Sequence, residues 1–376
     1  MIPFIDLGSQ YARIQDDVEA AVLRVLRSGQ YIHGPEVEQL EQQLAAFVGT
    51  RHAVSCASGT DALVIALMAK GVGPGDAVFT PPFTFMASAE AIALVGATPV
   101  FVDVDPVTFN LSPTALRTAI EQFEEGGKEL NPRGVIAVDL FGLPADYEAI
   151  DELARGHDLF VIEDAAQSFG ARSGNRVAGA LAEIGCTSFF PAKPLGCYGD
   201  GGAIFTDDDD LAELFRSIRV HGQGSDRYEH VRLGLTGRLD TVQAAVLIAK
   251  LKIFEDELAA RQIVADTYSG AIRQAGLALV TPTITQGCVS SWAQYSVLAD
   301  DSAAREDFRS RLSAKGFPTG VYYPRPLHLQ PAFEYLGHRP GDFPVSEALA
   351  ERVFSLPMHP YLSTAEVEEI VAAMAP

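Results

Sequence analysis

The chain has 376 residues, 48% of them hydrophobic and 20% charged, enough for a sizeable core and for two domains. Its 49 acidic against 28 basic side chains give a formal charge of −21, which opposes binding to a nucleic-acid backbone or an anionic membrane surface. No apolar stretch reaches the ~18 residues of a membrane span. The N-terminus, MIPFIDLGSQYARIQDD, lacks the basic and apolar regions of a secretory leader, so a cytoplasmic location is expected. Cys56, Cys186, Cys197 and Cys288 form no CxxC pair and the histidines show no ligand spacing, so reduced, buried thiols and no catalytic metal are expected.

From about residue 50 to 206, β-rich runs alternate with helix-like stretches, the pattern of parallel strands joined by crossovers. Seven strands are predicted, at 53–56, 77–80, 99–102, 135–138, 159–162, 186–190 and 202–206. Most are near-continuously apolar, which suits a sheet covered on both faces in a three-layer α/β/α domain. The acidic run at 207–210 reads as a solvated turn entering a helix. After Asp240, helical spacing (Val242, Ala245, Val246, Ala249) runs for about 30 residues without proline, predicting one long helix able to join two domains. A strand at 295–298, a helix at 302–315, a strand at 319–323 and a closing helix from Ser363, with Glu366 completing a capping box, follow. The expected division is a large domain, 1–255, and a smaller C-terminal α/β domain, 256–376.

The segment LFVIEDAAQSFGA places Glu163 and Asp164 at the carboxyl edge of a strand, where open parallel sheets bind ligands. Lys193 lies between Pro191 and Pro194 and near Gly196, a rigid setting unlike that of a surface lysine. A lysine poised over a ligand can form a Schiff base, and a buried carboxylate can keep a pyridine nitrogen protonated; a pyridoxal phosphate (PLP) enzyme needs both. Gly59 and Thr60 open a helix directly after a strand, so their N–H groups suit a phosphate at the positive end of the helix dipole.

Taken in order, CASGTDAL, PPFTF, IEDAAQSFGA, SFFPAKPLGCYGDGGAIFT and GRLDTVQAAVL resemble the successive motifs of the DegT/StrS nucleotide-sugar aminotransferases, within the fold-type-I PLP enzymes. The resemblance implies a mixed, mostly parallel seven-stranded sheet. It also implies Lys193 as the Schiff-base lysine, Asp164 as partner of the pyridinium nitrogen and Gln167 as a contact to the ring or its hydroxyl. Ser188 would join Gly59 and Thr60 around the phosphate, and Phe85 would stack on the ring. Thr236 stands where the family usually has an asparagine that reaches across a dimer interface to the neighbouring cofactor phosphate, and Arg238 matches a residue that meets the substrate carboxylate. GVYYPRPLHLQPAF resembles the family's sugar-facing loop, with Tyr322 in place of a histidine and Tyr323, Arg325 and His328 as sugar or nucleotide contacts.

On the same resemblance the chain is a homodimer with shared active sites that cycles PLP through pyridoxamine phosphate. L-glutamate is the expected donor, giving 2-oxoglutarate, and a nucleotide-linked keto sugar the acceptor. The expected acceptor carbon is C3 of UDP-2-acetamido-2-deoxy-3-oxo-glucuronate, for bacterial surface polysaccharide; a dTDP-3-keto-6-deoxy or 4-keto sugar is the alternative, and a non-catalytic regulator on this scaffold a more distant one. Lys193 speaks against the related dehydratases, which carry histidine there, and the missing G-x-G-x-x-G turn against a dinucleotide oxidoreductase.

Overall fold

The apolar runs pair into one sheet. In the computed structural model, which describes residues 2–126, 130–226 and 228–375, its strands are β1 (His52–Cys56), β2 (Asp76–Thr80), β3 (Thr98–Phe101), β4 (Asn131–Val138), β5 (Phe160–Asp164), β6 (Ile184–Ser188) and β7 (Gly202–Thr206). They lie in the order β1-β7-β6-β5-β4-β2-β3. β7 is antiparallel to both neighbours and the other pairs are parallel, the mixed sheet expected.

Alternate residues of each strand serve opposite layers. Val54, Val78, Ile136, Ile162 and Ile204 pack beneath helices Gly59–Ala69, Ala87–Leu94 and Asp209–Ile218. Ala77, Phe79, Val135, Ala137 and Val161 pack against Pro113–Glu125 and Tyr147–Gly156. The 207–210 run does enter a helix, with Asp208 as its N-cap.

β4 starts four residues before its predicted place, and two further strands are shifted. β5 runs on through Glu163 and Asp164, because Glu163, buried, receives the backbone N–H groups of Gly179 and Leu181. β6 starts and ends two residues early, since at Phe189 the chain leaves the sheet and its carbonyl accepts from Cys197 N instead. The single long helix expected after Asp240 is two, Thr241–Leu251 and Phe254–Gln274, broken at Lys252 and Ile253. The first is buried nearly all round, against helices Leu7–Ser28 and Pro35–Val48. The second turns Val264, Ala265, Tyr268 and Ile272 towards a separate core, a direction a straight continuation would not take.

That second core surrounds an antiparallel pair, β8 (Tyr295–Leu298) and β9 (Val353–Leu356), flanked by helices Ser302–Ala314 and Thr364–Met374. The capping box is present at Ser363 and Glu366. No strand forms at 319–323: Gly320 makes an isolated bridge to Ser355, and the Tyr322 ring folds back over it, leaving 2.8 Å to where a Cβ at 320 would lie. Among the described residues no helix is long and apolar enough to cross a membrane.

Candidate active site

Strand register assembles one side of the site. Cys56 pairs with Gly202, and Gly202 with Ser188, so the end of β1 and the end of β6 lie abreast across β7. The chain leaves β1 through Ser58, whose hydroxyl caps the helix by accepting from Asp61 N at 3.0 Å. Gly59 then passes so close to Ser188 that a Cβ would fall 2.7 Å from the serine Cβ; at Gly202 one would fall 2.4 Å from Ser58 O. Ser188 Oγ accepts from Phe190 N (3.2 Å), which leaves its hydrogen to donate. A helix N-terminus and a hydroxyl donor therefore meet in a cradle built to backbone dimensions.

Asp164 ends β5 and is buried. Its Oδ2 accepts from Ser88 Oγ at 2.8 Å and its Oδ1 from Ala166 N at 3.2 Å. Burial raises its pKa, while Ser88, the Ala166 N–H and the charge of Lys193 pull it back. Lys193 occupies the loop after β6, where its N–H donates to Phe190 O (2.9 Å). Desolvation lowers the pKa of its amine against the opposing pull of Asp164. No hydrogen bond or ion pair among the described residues engages that amine.

Gln167 is held at both ends: Oε1 accepts from Phe141 N (2.7 Å) and Nε2 donates to Tyr323 Oη (3.0 Å). Burial pushes the Tyr323 hydroxyl up. Phe85 is no core residue; it is 57% exposed, its ring centroid 6.3 Å from that of Tyr323. Gly237 O accepts from Ala57 N at 3.1 Å, which sets Thr236 and Arg238 beside the turn that leads to Gly59. Arg238 keeps its Nε buried without a partner. Thr236 is exposed and its Oγ1 lies 2.5 Å from His221 Nε2.

In the 320–333 loop, Tyr322 is half-buried against Phe4 and Tyr323, and Arg325 is exposed. His328 departs from the expected sugar contact. Its side chain is 0% exposed, 3.0 Å from Glu347 Oε1 and packed on Phe343 at 4.6 Å. The ring follows Leu327 into the aromatic cluster around Phe101 and Phe333, which leaves no face for a ligand. Sequence reasoning missed Ser88, since a serine on an alanine-rich helix carries no signal until the fold sets it against Asp164.

Comparison with known proteins defines the class: the chain is a PLP-dependent aminotransferase with the fold-type-I α/β architecture. It belongs to the DegT/DnrJ/EryC1/StrS aminotransferase family, whose profile matches residues 12–375. A UDP-2-acetamido-2-deoxy-3-oxo-D-glucuronate aminotransferase of Pseudomonas aeruginosa is 51% identical over 374 residues, spanning 100% of this chain and 99% of its own. The crystal structure of a DegT DnrJ EryC1 StrS aminotransferase from Brucella abortus superposes with a TM-score of 0.95 at 48% identity, covering 100% of this chain and 98% of that one. A sugar aminotransferase from Streptococcus pneumoniae, solved in its PLP form, has a TM-score of 0.87 at 25% identity and covers 96% and 95%. The residues present fit PLP: the tight cradle of Gly59 and Ser188 suits a phosphate, Asp164 a protonated ring nitrogen, and the unpartnered Lys193 amine a carbonyl carbon.

Proposed function

We propose that this aminotransferase moves the amino group of L-glutamate to C3 of UDP-2-acetamido-2-deoxy-3-oxo-glucuronate, a step towards bacterial surface polysaccharide. Identity of 51% across both full lengths with a relative named for that substrate carries the reading.

PLP, when bound, supplies the carbon that takes up the donor nitrogen and a ring that draws electron density from the donor Cα. The N–H groups of Gly59 and Thr60 and the Ser188 hydroxyl would hold its phosphate, and Phe85 and Gln167 would flank its ring. Asp164 would keep the ring nitrogen protonated: Ser88, the Ala166 N–H and Lys193 favour its ionised form against the opposing effect of burial, and a nearby cation is its natural complement. Lys193 moves the proton. Desolvation raises the neutral fraction of its amine, which takes the proton from the donor Cα and, in the return half, delivers one to C3 of the sugar. Arg238 meets the donor α-carboxylate and then the sugar C6 carboxylate, a role its unpartnered Nε supports. Tyr322, Tyr323 and Arg325 line the sugar side.

The exposed Thr236 hydroxyl and the Leu233 side chain, 87% exposed, support a homodimer in which this segment serves the neighbouring site. The separate core around β8 and β9 supports a small domain from residue 256 onward. The nucleotide-linked acceptor supports a cytoplasmic working compartment. The test is competition: the 3-keto uronate is preferred over dTDP-3-keto-6-deoxy and 4-keto sugars, and preference for a 6-deoxy sugar overturns the substrate.

A further inference from the structure

Lys250, on helix Thr241–Leu251, is fully buried, and the mechanism above makes no use of it. Its Nζ donates to Gly196 O over 2.6 Å and sits 4.2 Å from the centroid of the Tyr198 ring. Both partners belong to the chain that leaves Lys193. That loop is closed on itself: Cys197 N donates to Phe189 O (2.8 Å) and Lys193 N to Phe190 O (2.9 Å). Gly196 is wedged inside it, since a Cβ there would lie 2.6 Å from both Phe190 O and Pro191 O. The same helix takes a second grip two residues on, where Gln243 accepts from Tyr198 N (2.9 Å) and donates to Tyr198 O (3.2 Å).

We infer that Lys250 is a positioning residue for Lys193: by holding the Gly196 carbonyl it fixes the loop that carries the reacting amine. The inference rests on the role proposed for Lys193. A buried ammonium is costly, and an apolar chain of similar length would fill the space without that penalty. What lysine adds here is a directed hold on one carbonyl. Burial lowers the Lys250 amine to about 8, against the pull of Glu257 and Cys197, so the hold survives at neutral pH as a charge-assisted bond.

The test compares wild type, Lys250→Met, Lys250→Gln and Lys193→Ala, each reconstituted with PLP. Four quantities are read: total PLP bound, the fraction that borohydride fixes covalently to the chain, and kcat and KM with L-glutamate. In Lys250→Met, total PLP stays within about twofold while the fixed fraction drops, and kcat falls about tenfold or more with KM within about threefold, as expected when orientation rather than binding is lost. Lys250→Gln, one atom shorter but still carrying an N–H donor, is expected to recover part of both losses, and it carries the test if the methionine variant does not fold. Wild-type kcat and fixed fraction in Lys250→Met overturn the inference. So does a parallel loss of PLP and fixed fraction that glutamine does not rescue, since that is a merely structural role. Covalent fixation in Lys193→Ala equal to wild type overturns the Lys193 assignment itself, a distinct failure.

Discussion

Ser88 Oγ donates a 2.8 Å hydrogen bond to Asp164 Oδ2, and both side chains are buried. The bond favours the ionised carboxylate that the ring nitrogen requires, so Ser88→Ala removes a contact to a charged group worth about 1.5–3 kcal/mol, or roughly 10- to 150-fold in kcat. The sign on pH follows from the same contact. Ser88 lowers the Asp164 pKa, so its loss raises that pKa and moves the acid limb of the pH–kcat profile upward. An acid limb that stays in place would show that Asp164 does not govern it.

Gly59 has no room for a side chain, because its Cβ position lies 2.7 Å from Ser188 Cβ. Gly59→Ala is expected to push Ser188 and the helix N-terminus apart and to weaken PLP about tenfold or more, with little change in the far-ultraviolet circular dichroism. Equilibrium titration with PLP checks it, and unchanged affinity would remove the phosphate from this cradle.

Behind the site, Asp139 and Glu163 are both fully buried. Burial first, then their mutual repulsion, keeps Glu163 protonated far above the usual carboxylate range, and burial pushes Asp139 up to about 7. The folded chain thus holds protons here that the unfolded chain has already released, so the contribution of this pair to stability is fully present at low pH and is lost as pH rises towards about 7 and beyond. The melting temperature of the wild type is expected to decline between about pH 5 and about pH 8, and Glu163→Gln to flatten that decline. A Glu163→Gln slope equal to wild type would contradict the shared burial of these protons.

How much of this was legible in the sequence follows from what each residue touches. Val78, Val135 and Ile204 are apolar and buried, and such runs give away a covered sheet whatever its order. Glu163 hid the end of β5, because a carboxylate inside a strand reads as an edge until the N–H groups of Gly179 and Leu181 are seen to meet it. The break at Lys252 and Ile253 has no proline or glycine to announce it; it is set by two cores that lie in different directions. The motif residues Asp164, Lys193 and Gln167 were visible by resemblance. Ser88 and Lys250 were not, since each acts through a contact between elements distant in sequence.

His328 tests that distinction from the other side. With its ring buried on Phe343 and 3.0 Å from Glu347 Oε1, His328→Ala is expected to cost about 2–4 kcal/mol of stability by leaving a cavity and removing one contact to the Glu347 carboxylate, which keeps the N–H groups of Gly341 and Phe343. The KM for the nucleotide sugar should stay within about twofold, because the ring offers no face to a ligand. A sugar KM raised tenfold with stability unchanged would restore the contact expected from the sequence.

The central claim is that Lys193 carries PLP and moves the proton. The most direct measurement is the visible absorption spectrum of the PLP-reconstituted protein before and after L-glutamate, with Lys193→Ala alongside. Wild type is expected to show the band of lysine-bound PLP and to lose it on adding glutamate, while Lys193→Ala binds PLP without that band and does not turn over. A wild-type band untouched by the Lys193→Ala substitution, or turnover in that variant near the wild-type rate, would contradict the account.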